Sequence, residues 1–306
     1  MPYFSVVIPL FNKDQYIAET IESVLAQTFT DFEVLIVNDT STDNSLLVAQ
    51  SFSDSRIKII RHPVNKGLSE SRNTGIKNSK AEFIAFLDAD DLWQPNLLTT
   101  IYNLTINHPE AGLYATKYTE IYYGKVAIEP VFEAETGILD NFFLRNINKA
   151  IYYPSSLCVR KSVFEDVGYY KNVYLGEDTD INIRANLKYR LAYSSDPLMQ
   201  YRVHSENQIT HNKLAGKTLV DFDLYERLNP DRKDLKKYLD FQRYAWAKRY
   251  KMEGSIHEYR RLSSAINPAN LNYKQRALLS LPAFALIFIK SLKSKLNKIG
   301  LNPTSY

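Results

Sequence analysis

The first 110 residues alternate between short apolar runs and amphipathic segments. Runs rich in β-branched residues predict buried strands, and they read FSVVIPL, FEVLIVND, RIKIIRH and EFIAFLDA. The segments between them are typical of helices, as in DQYIAETIESVLAQT, where Ile17, Ile21 and Val24 share one face. The other predicted helices are STDNSLLVAQSF, GLSESRNTGIKNS and QPNLLTTIYNLTINH. Strands that alternate with helices predict a parallel α/β sheet over residues 1–110.

The pattern changes in the second half of the chain. Residues 111–215 are rich in aromatic side chains, as in YATKYTEIYYGK and IYYPSS, and core or hairpin packing explains most of them. From residue 216 the pattern is helical, and DLKKYLDFQRYAWAKRYKMEG predicts an amphipathic helix that ends near Gly254. We therefore predict an α/β domain over residues 1–215 and a basic helical region over residues 216–306.

Composition and termini indicate a protein of a reducing compartment. Hydrophobic residues make up 45% and charged residues 24%, as in ordinary globular proteins. The single cysteine, Cys158, cannot form an internal disulfide. The N-terminal stretch MPYFSVVIPLFNKD reads as a first strand and not as a signal peptide. We expect a cytoplasmic location.

The net charge of +4 is unevenly distributed. After Glu258 the sequence has eight basic and no acidic residues, which leaves 30 basic and 34 acidic residues in the rest of the chain. This asymmetry favours an anionic partner for the tail and argues against a nucleic-acid-binding protein. The apolar run Leu281–Ile289 is too short to span a bilayer, which needs about 20 residues. Two interpretations stay open: peripheral docking on an anionic membrane, the inner face of the plasma membrane, or packing on the catalytic domain.

Polar residues follow three of the predicted strands at the point where each strand ends. VVIPLFN ends in Asn12, VLIVND ends in Asp39, and FIAFLDADD ends in Asp88, Asp90 and Asp91. In open α/β sheets, ligands bind at the carboxyl ends of the strands. Carboxylate oxygens suit Mg²⁺ or Mn²⁺, and no Cys/His cluster suggests zinc. The sequence also lacks a P-loop and a GxGxxG fingerprint, so a nucleoside diphosphate derivative held with a divalent ion is favoured.

Six stretches, in order over residues 4–210, resemble the family 2 glycosyltransferases with the GT-A fold. They are VVIPLFN, VLIVNDTSTDNS, NKGLSESRNTGI, FIAFLDADD, GEDTDIN and YRVHSEN. The resemblance implies a Rossmann-like, mostly parallel sheet flanked by helices, with a C-terminal helical extension. It also implies an inverting, metal-dependent, hexosyltransferase-like enzyme. This enzyme would move a sugar from a nucleotide-sugar, commonly a UDP-sugar, to a hydroxyl of a glycan or lipid-linked acceptor in cell-surface polysaccharide synthesis.

The chain departs from the family pattern in two places. Asn38-Asp39-Thr40 stands where the family usually has two acids and a glycine. GEDTDIN is not followed by the tryptophan that polymer-forming synthases of the family show, which disfavours processive synthesis. The resemblance assigns residues 1–110 to the nucleotide-sugar half and the aromatic-rich residues 111–215 to the acceptor half, where exposed rings would suit sugars.

The resemblance also implies roles for individual residues. In the family, the position of Asp39 binds uracil or ribose, that of Arg72 contacts the base, and that of Asp88 touches the ribose. The full set of expected nucleotide-binding residues is Pro9, Phe11, Asn12, Asp39, Arg72 and Asp88. Each has an alternative from the residues themselves: Asp39 could begin a turn, Arg72 could be a solvated helix charge, and Phe11 could lie in the core.

The implied metal ligands are Asp90 and His204. Arg202 and Asp91 are expected to bind the diphosphate or to support the site. Alternatively, the aspartates could cap the next helix, and Arg202 and His204 could anchor their strand.

Glu177 and Asp178 in GEDTDIN resemble the family's catalytic acidic pair, with Asp178 as the base. An inverting transfer is a single displacement, in which a positioned base takes the proton of the acceptor hydroxyl. Asp180 then reads as an ordinary acid on the helix face. The alternative is charge placement at a helix N-terminus, worth only ~0.3–1 kcal/mol.

Two other functions stay open. One is a GT-A domain that binds nucleotide-sugar without turnover, which would need no base at Asp178. The other is a nucleotidyltransferase, which should have a glycine-rich basic loop near its N-terminus, whereas IPLFNKD has neither glycine nor arginine.

Overall fold

The computed structural model describes residues 1–122, 126–128, 134–147, 149–173, 175–203, 205, 214 and 217–298. The chain forms two compact units. We call the first the sheet unit, which comprises Met1–Asp140 and Ile151–Gln208. We call the second the helical unit, which comprises Asn141–Ala150 and Ile209–Tyr306.

The strands of the described residues all belong to the sheet unit. They are β1 (Phe4–Leu10), β2 (Phe32–Asn38), β3 (Ile57–Arg61), β4 (Phe83–Phe86), β5 (Leu92–Trp93), β6 (Ala111–Tyr122), β7 (Val126–Ile128), β8 (Gly137–Leu139), β9 (Leu157–Arg160) and β10 (Arg190–Val203). The α-helices of the described residues are α1 (Ile17–Leu25), α2 (Ser45–Gln50), α3 (Leu68–Asn78), α4 (Leu97–Asn107), α5 (Phe142–Arg145), α6 (Lys161–Val167), α7 (Glu177–Lys188), α8 (Phe222–Leu228), α9 (Lys233–Met252), α10 (Ile256–Ser264), α11 (Tyr273–Ser280) and α12 (Ala283–Lys298).

The strands form one mixed, mostly parallel sheet in the order β3-β2-β1-β4-β9-β6-β10-β5. β7 pairs with β6, and β8 pairs with β10. Strands β1 to β4 are parallel to one another, which confirms the parallel sheet predicted for the first 110 residues. β1 is buried along its whole length, because helices cover both faces of a parallel sheet and favour continuous apolar runs.

β9 runs antiparallel to both of its neighbours, β4 and β6. Its N-terminal end therefore lies at the same edge of the sheet as the carboxyl ends of β1, β2 and β4. The 3-10 turn Pro154–Ser156 directly precedes β9 and is thereby brought to this edge. We call this edge the rim.

Helix α3 lies unusually close to the central strand of the sheet. A Cβ atom at Gly75 would lie 2.3 Å from Cγ1 of Val7, so only glycine fits there. This close approach explains the small-residue face in GLSESRNTGIKNS. It also fixes the height of α3 above β1, and α3 carries Arg72 toward the rim.

The aromatic residues of the second half lie mostly in cores, as their pattern favours. Tyr114, Tyr118 and Tyr152 are buried in the sheet unit, and Phe143 is buried in the helical unit. Tyr201 is only partly buried, and its ring stacks on that of Tyr153 with 4.3 Å between the centroids.

The helical unit is organised around α9, the amphipathic helix expected from the sequence. Its buried face packs against α5, α8, α10, α11 and α12. Pro282 separates α11 from α12 and so divides the long apolar run of the tail. Within the described part of the chain, none of the helices combines the length and apolarity that a membrane span needs.

Candidate active site

Asp39, at the end of β2, is buried and organises the loop after β3. Its Oδ1 accepts hydrogen bonds from His62 Nδ1 at 2.7 Å and from the Lys66 backbone N–H at 2.8 Å. Its Oδ2 accepts the Gly67 N–H at 2.8 Å. The other ring nitrogen of His62 lies 2.9 Å from the Thr74 hydroxyl. Asp39 thus joins the end of β2 to the start of α3, and the predicted nucleotide contact would be additional to these bonds.

The loops after β1 and β2 are hydrogen-bonded to each other. Asn12 adopts a left-handed backbone conformation with φ of 50°, which asparagine tolerates better than most residues. Its Oδ1 accepts the Thr42 N–H at 2.8 Å, and the Lys13 N–H donates to Ser45 Oγ at 2.6 Å. Pro9 lies within buried β1, whereas Phe11 is exposed, so the core alternative for Phe11 is wrong.

Arg72 connects the rim to the predicted catalytic pair. It is fully buried, so its alternative as a solvated helix charge is wrong. Its Nη2 donates to Asp88 Oδ1 at 2.9 Å, and its Nη1 donates to Asp178 Oδ1 at 2.6 Å. Its guanidinium also lies 5.3 Å from the centre of the Tyr170 ring. One arginine therefore holds a carboxylate from the end of β4 and another from the first turn of α7.

Glu177 lies beside this contact and is nearly buried. Its Oε1 is 3.9 Å from Arg72 Nη1. Burial, reinforced by the neighbouring Asp178 carboxylate, raises the pKa of Glu177 to about 8, although Arg72 opposes the shift. Gly176, with φ of 85°, provides the left-handed turn that starts α7 and directs both acids toward Arg72.

Asp90 is held by a lysine that the sequence reading did not include in the site. Lys13 Nζ lies 2.7 Å from Asp90 Oδ2, and the Ser205 hydroxyl donates to the same oxygen. From the described residues, Oδ1 of Asp90 accepts no hydrogen bond. An oxygen of this kind suits Mg²⁺ or Mn²⁺, which bind one or two carboxylates together with substrate phosphates. No group of three or more His, Cys, Asp or Glu side chains suited to a metal occurs in the described ranges.

Asp91 is fully buried and bonds to protein groups through both oxygens. Ser155 Oγ donates to its Oδ2 at 2.5 Å, and the Arg202 backbone N–H donates to its Oδ1 at 3.1 Å. Burial, followed by the charges of Asp90 and Asp88, raises the pKa of Asp91 well above its ordinary range. Asp91 thus ties the end of β4 to the 3-10 turn and to β10, a geometry that fits support of the site.

The guanidinium of Arg202 is also occupied by protein groups. It pairs with Glu19, donates to the Asp90 carbonyl at 3.3 Å and lies 5.4 Å from the centre of the Tyr16 ring. His204, the second expected metal ligand, lies outside the described residues.

Asp180 corrects the sequence analysis. It is buried and not an ordinary helix-face acid. It pairs with Arg184 at 2.6 Å and with Lys171 at 3.2 Å, and Arg184 also donates to three backbone carbonyls of residues 167–169. Asp180 therefore anchors α7 to the preceding segment.

Sequence reasoning missed Lys13, His62, Ser155, Tyr170 and Ser205. The positions of two of them in the sequence indicated that they lie near the site. Lys13 directly follows Asn12 in a quoted stretch, and His62 directly follows the third strand. The others are brought to the rim by β9, α7 and β10, whose pairing the sequence does not show.

Comparison with known families decides the class of the protein. The family model described as "Glycosyl transferase family 2" matches residues 5–168, more than half of the chain. The chain belongs to glycosyl transferase family 2. It is similar to the UDP-Glc:alpha-D-GlcNAc-diphosphoundecaprenol beta-1,3-glucosyltransferase WfgD of Escherichia coli, with 37% identity over 110 residues, or 36% of this chain and 44% of that protein.

Other family 2 relatives are similar over different lengths. Glycosyltransferase GlyG of Streptococcus pneumoniae is 24% identical over 219 residues, which cover 66% of this chain and 71% of GlyG. The uncharacterized glycosyltransferase EpsJ of Bacillus subtilis is 42% identical over 93 residues, 30% of this chain and 27% of EpsJ. The matched region spans less than half the length of WfgD and of EpsJ.

Solved structures establish the GT-A fold for this family 2 member. The crystal structure of S. aureus TarS residues 1–349 with UDP-GlcNAc matches with a TM-score of 0.69 and 21% identity, over 98% of this chain and 92% of TarS 1–349. The mannosyltransferase PcManGT of Pyrobaculum calidifontis, in complex with GDP-Man and Mn²⁺, matches with a TM-score of 0.55 and 16% identity, over 95% of this chain and 80% of that one.

Proposed function

We propose that this glycosyltransferase moves a sugar from a nucleotide-sugar, a UDP-sugar, to a hydroxyl of a glycan or lipid-linked acceptor. The transfer inverts the anomeric centre and serves cell-surface polysaccharide synthesis in the cytoplasm. One observation carries the proposal: Arg72 links Asp88, at the rim where donors bind, to Asp178 in α7. The activity that names WfgD and the UDP-GlcNAc bound to TarS support the donor and acceptor classes.

In this proposal Asp178 is the general base. Arg72 fixes its Oδ1 by the 2.6 Å bond, and Oδ2 accepts no hydrogen bond from the described residues. Its side chain is one-third exposed, so an acceptor hydroxyl can reach Oδ2 and lose its proton there as the sugar is transferred. Burial raises the pKa of Asp178, although Arg72 opposes the shift, and the pKa of the neighbouring Glu177 is raised as well.

The donor is proposed to lie along the rim. Asp39, Arg72 and Asp88 would bind the nucleoside, with Phe11 exposed beside Pro9 and Asn12 at the end of β1. Asp90, with His204, would hold a divalent ion, Mn²⁺ or Mg²⁺. Such an ion, when bound, supplies positive charge to the donor diphosphate. Arg202 and Asp91 would support this arrangement through their bonds to β10 and Asp90.

A donor screen tests the binding half of the proposal. UDP-sugars should raise the thermal unfolding midpoint of the full chain in the presence of Mn²⁺, because a ligand that binds the native state stabilises it. EDTA should abolish most of the shift, and Asp90→Asn should reproduce the effect of EDTA. Equal donor affinity with and without metal in calorimetry would contradict the metal assignment.

A transfer assay tests the catalytic half. The donor that binds is incubated with water-soluble acceptor glycans, and the products are analysed by mass spectrometry and by NMR for the anomeric configuration. A retained configuration would contradict the inverting mechanism. Donor binding without transfer to any acceptor would favour the non-catalytic binding domain.

A further inference from the structure

Helix α12 has an unusual distribution of apolar residues. Leu286 is buried where α12 packs against α9, as expected for an amphipathic helix. The outward face is nevertheless apolar as well. Its exposed large side chains, which recur at helical spacing, are Phe284, Ile287, Phe288 and Leu292. Phe284 is 75% exposed and Phe288 is 68% exposed, so two whole phenylalanine rings face outward on one helix.

The charged residues of α12 are all basic. Lys290 and Lys295 are exposed on the same helix, and the sequence adds Lys293 and Lys298. No acidic residue follows Glu258 anywhere in the sequence. Exposed apolar residues of this size usually mark an interaction site.

We propose that the outward face of α12 docks on an anionic lipid bilayer. The rings would enter the boundary between headgroups and acyl chains, and the lysines would remain among the anionic headgroups. Charge complementarity selects this occupant: a second copy would bring its own uniformly basic segment against this one, and the two would repel. The inference rests on the proposed function only for the role of the docking, which would hold the enzyme near a lipid-linked acceptor.

Vesicle sedimentation of the full chain tests the docking. The probe is a phosphatidylcholine vesicle with about 30% phosphatidylglycerol, at low salt. The Phe284→Ser/Phe288→Ser variant should bind at least about tenfold more weakly, since it loses the apolar area that would be buried. Ile106→Ser, which removes an exposed apolar side chain from α4, is the matched control and should bind as the parent chain does.

The electrostatic part is tested separately. Lys290→Gln/Lys295→Gln should weaken binding about 30-fold at low salt and far less at high salt. Lys58→Gln/Lys80→Gln removes two exposed lysines from the sheet unit and should have no effect. All seven substituted residues are exposed, so loss of folding does not explain a change.

Three outcomes would overturn the inference. The parent chain could stay in the supernatant at low salt, or both α12 variants could sediment as the parent does. Alternatively, concentration-dependent dimerisation in analytical ultracentrifugation, lost in Phe284→Ser/Phe288→Ser, would assign the face to a second copy. Vesicle binding does not require catalysis. If the chain does not bind vesicles but still transfers sugar to a water-soluble acceptor, the docking inference is wrong and the proposed function is unaffected.

Discussion

Two fully buried arginines hold similar sets of carboxylates in the two units, and the two sets differ in their balance of charge and in the pKa of their acids. Arg72 lies within 3.9 Å of three carboxylates, which we call the rim cluster: Asp88, Glu177 and Asp178. Arg243 lies within 3.1 Å of three others, which we call the helical cluster: Asp223, Glu226 and Asp240. In both arginines the buried Nε has no hydrogen-bond partner among the described residues.

The clusters differ in their balance of charge. In the helical cluster Lys236 adds a second cation, 2.8 Å from Asp240 and 2.9 Å from Glu226. Although burial alone would raise it, the hydrogen bonds and charges of Lys236 and Arg243 lower the pKa of Glu226. In the rim cluster, Arg72 is the single cation that the ion pairs of the described residues give to the three acids. The pKa of Glu177 is raised to about 8. Burial is thus the main cause of the raised pKa of Glu177, with Asp178 adding to it, whereas two cations outweigh burial at Glu226.

The largest expected effect distinguishes the clusters by chemistry. Asp178→Asn should reduce sugar transfer on the order of 10²–10⁴-fold, because the acceptor hydroxyl loses its base, while donor affinity is kept. The matched control is Asp223→Asn, which neutralises one carboxylate of the helical cluster and should leave kcat within about twofold. Initial rates and donor calorimetry measure both. Transfer by Asp178→Asn at the parent rate would mean that Asp178 is not the base.

The second effect concerns stability. Arg243→Met should lower the free energy of unfolding by about 3–5 kcal/mol, because it leaves buried Asp240 with only part of its counter-charge. Lys237→Met, an exposed substitution on the same helix, should change it by less than about 0.5 kcal/mol. Urea titration followed by circular dichroism gives both values. A stable Arg243→Met protein would show that the helical cluster is dispensable.

A third prediction tests how the rim cluster is positioned. Gly75→Ala would place a Cβ 2.3 Å from Val7 Cγ1, so Val7 or α3 must shift, and a shift of α3 would move Arg72. We expect a loss of about 1–3 kcal/mol in stability and slower transfer. The double variant Gly75→Ala/Val7→Ala removes the clashing methyl groups and should recover transfer relative to Gly75→Ala. If the single variant transfers normally, the spacing of α3 and β1 does not position Arg72.

The smallest effect is a change in pH dependence. Because the pKa of Glu177 is raised to about 8 in the folded protein, the folded state keeps a proton that the unfolded chain loses at lower pH. Stability should therefore fall as pH rises from the ordinary glutamate range to about 8, because the unfolded chain releases this proton first. Glu177→Gln removes this contribution. The urea midpoints of this variant and of the parent chain are measured at several pH values. If the two plots of midpoint against pH run parallel, the raised pKa does not belong to Glu177.

The first four strands were predictable because parallel strands covered on both faces read as continuous apolar runs. The antiparallel β9 and the long β10 were not, since β10 shifts register between Ser194, Pro197 and Met199 and shows no regular alternation. The prediction that acids gather at the rim followed from strand ends alone, since Asp39 and Asp88 follow β2 and β4.

The contacts between those acids and their cations were beyond the sequence. Arg72 is 16 residues from Asp88 and 106 residues from Asp178, and only the placement of α3 and α7 brings them together. Its local pattern is that of an exposed helix charge, and burial is visible only in the fold. For the same reason, the burial of Asp180 and its pair with Lys171 could not be inferred from the helix, although its i,i+4 pair with Arg184 could.

The contact between Lys13 and Asp90 has a consequence for thermodynamic linkage. Lys13 already neutralises the Asp90 carboxylate through Oδ2, the oxygen next to the one that a divalent ion would use. Ion affinity measured without donor then includes the repulsion between the ion and this ammonium, which share one carboxylate. An incoming diphosphate offers that ammonium a new partner, so ion and donor would each raise the affinity of the other by the same factor. Lys13→Gln would tighten ion binding to the donor-free enzyme and reduce this mutual enhancement.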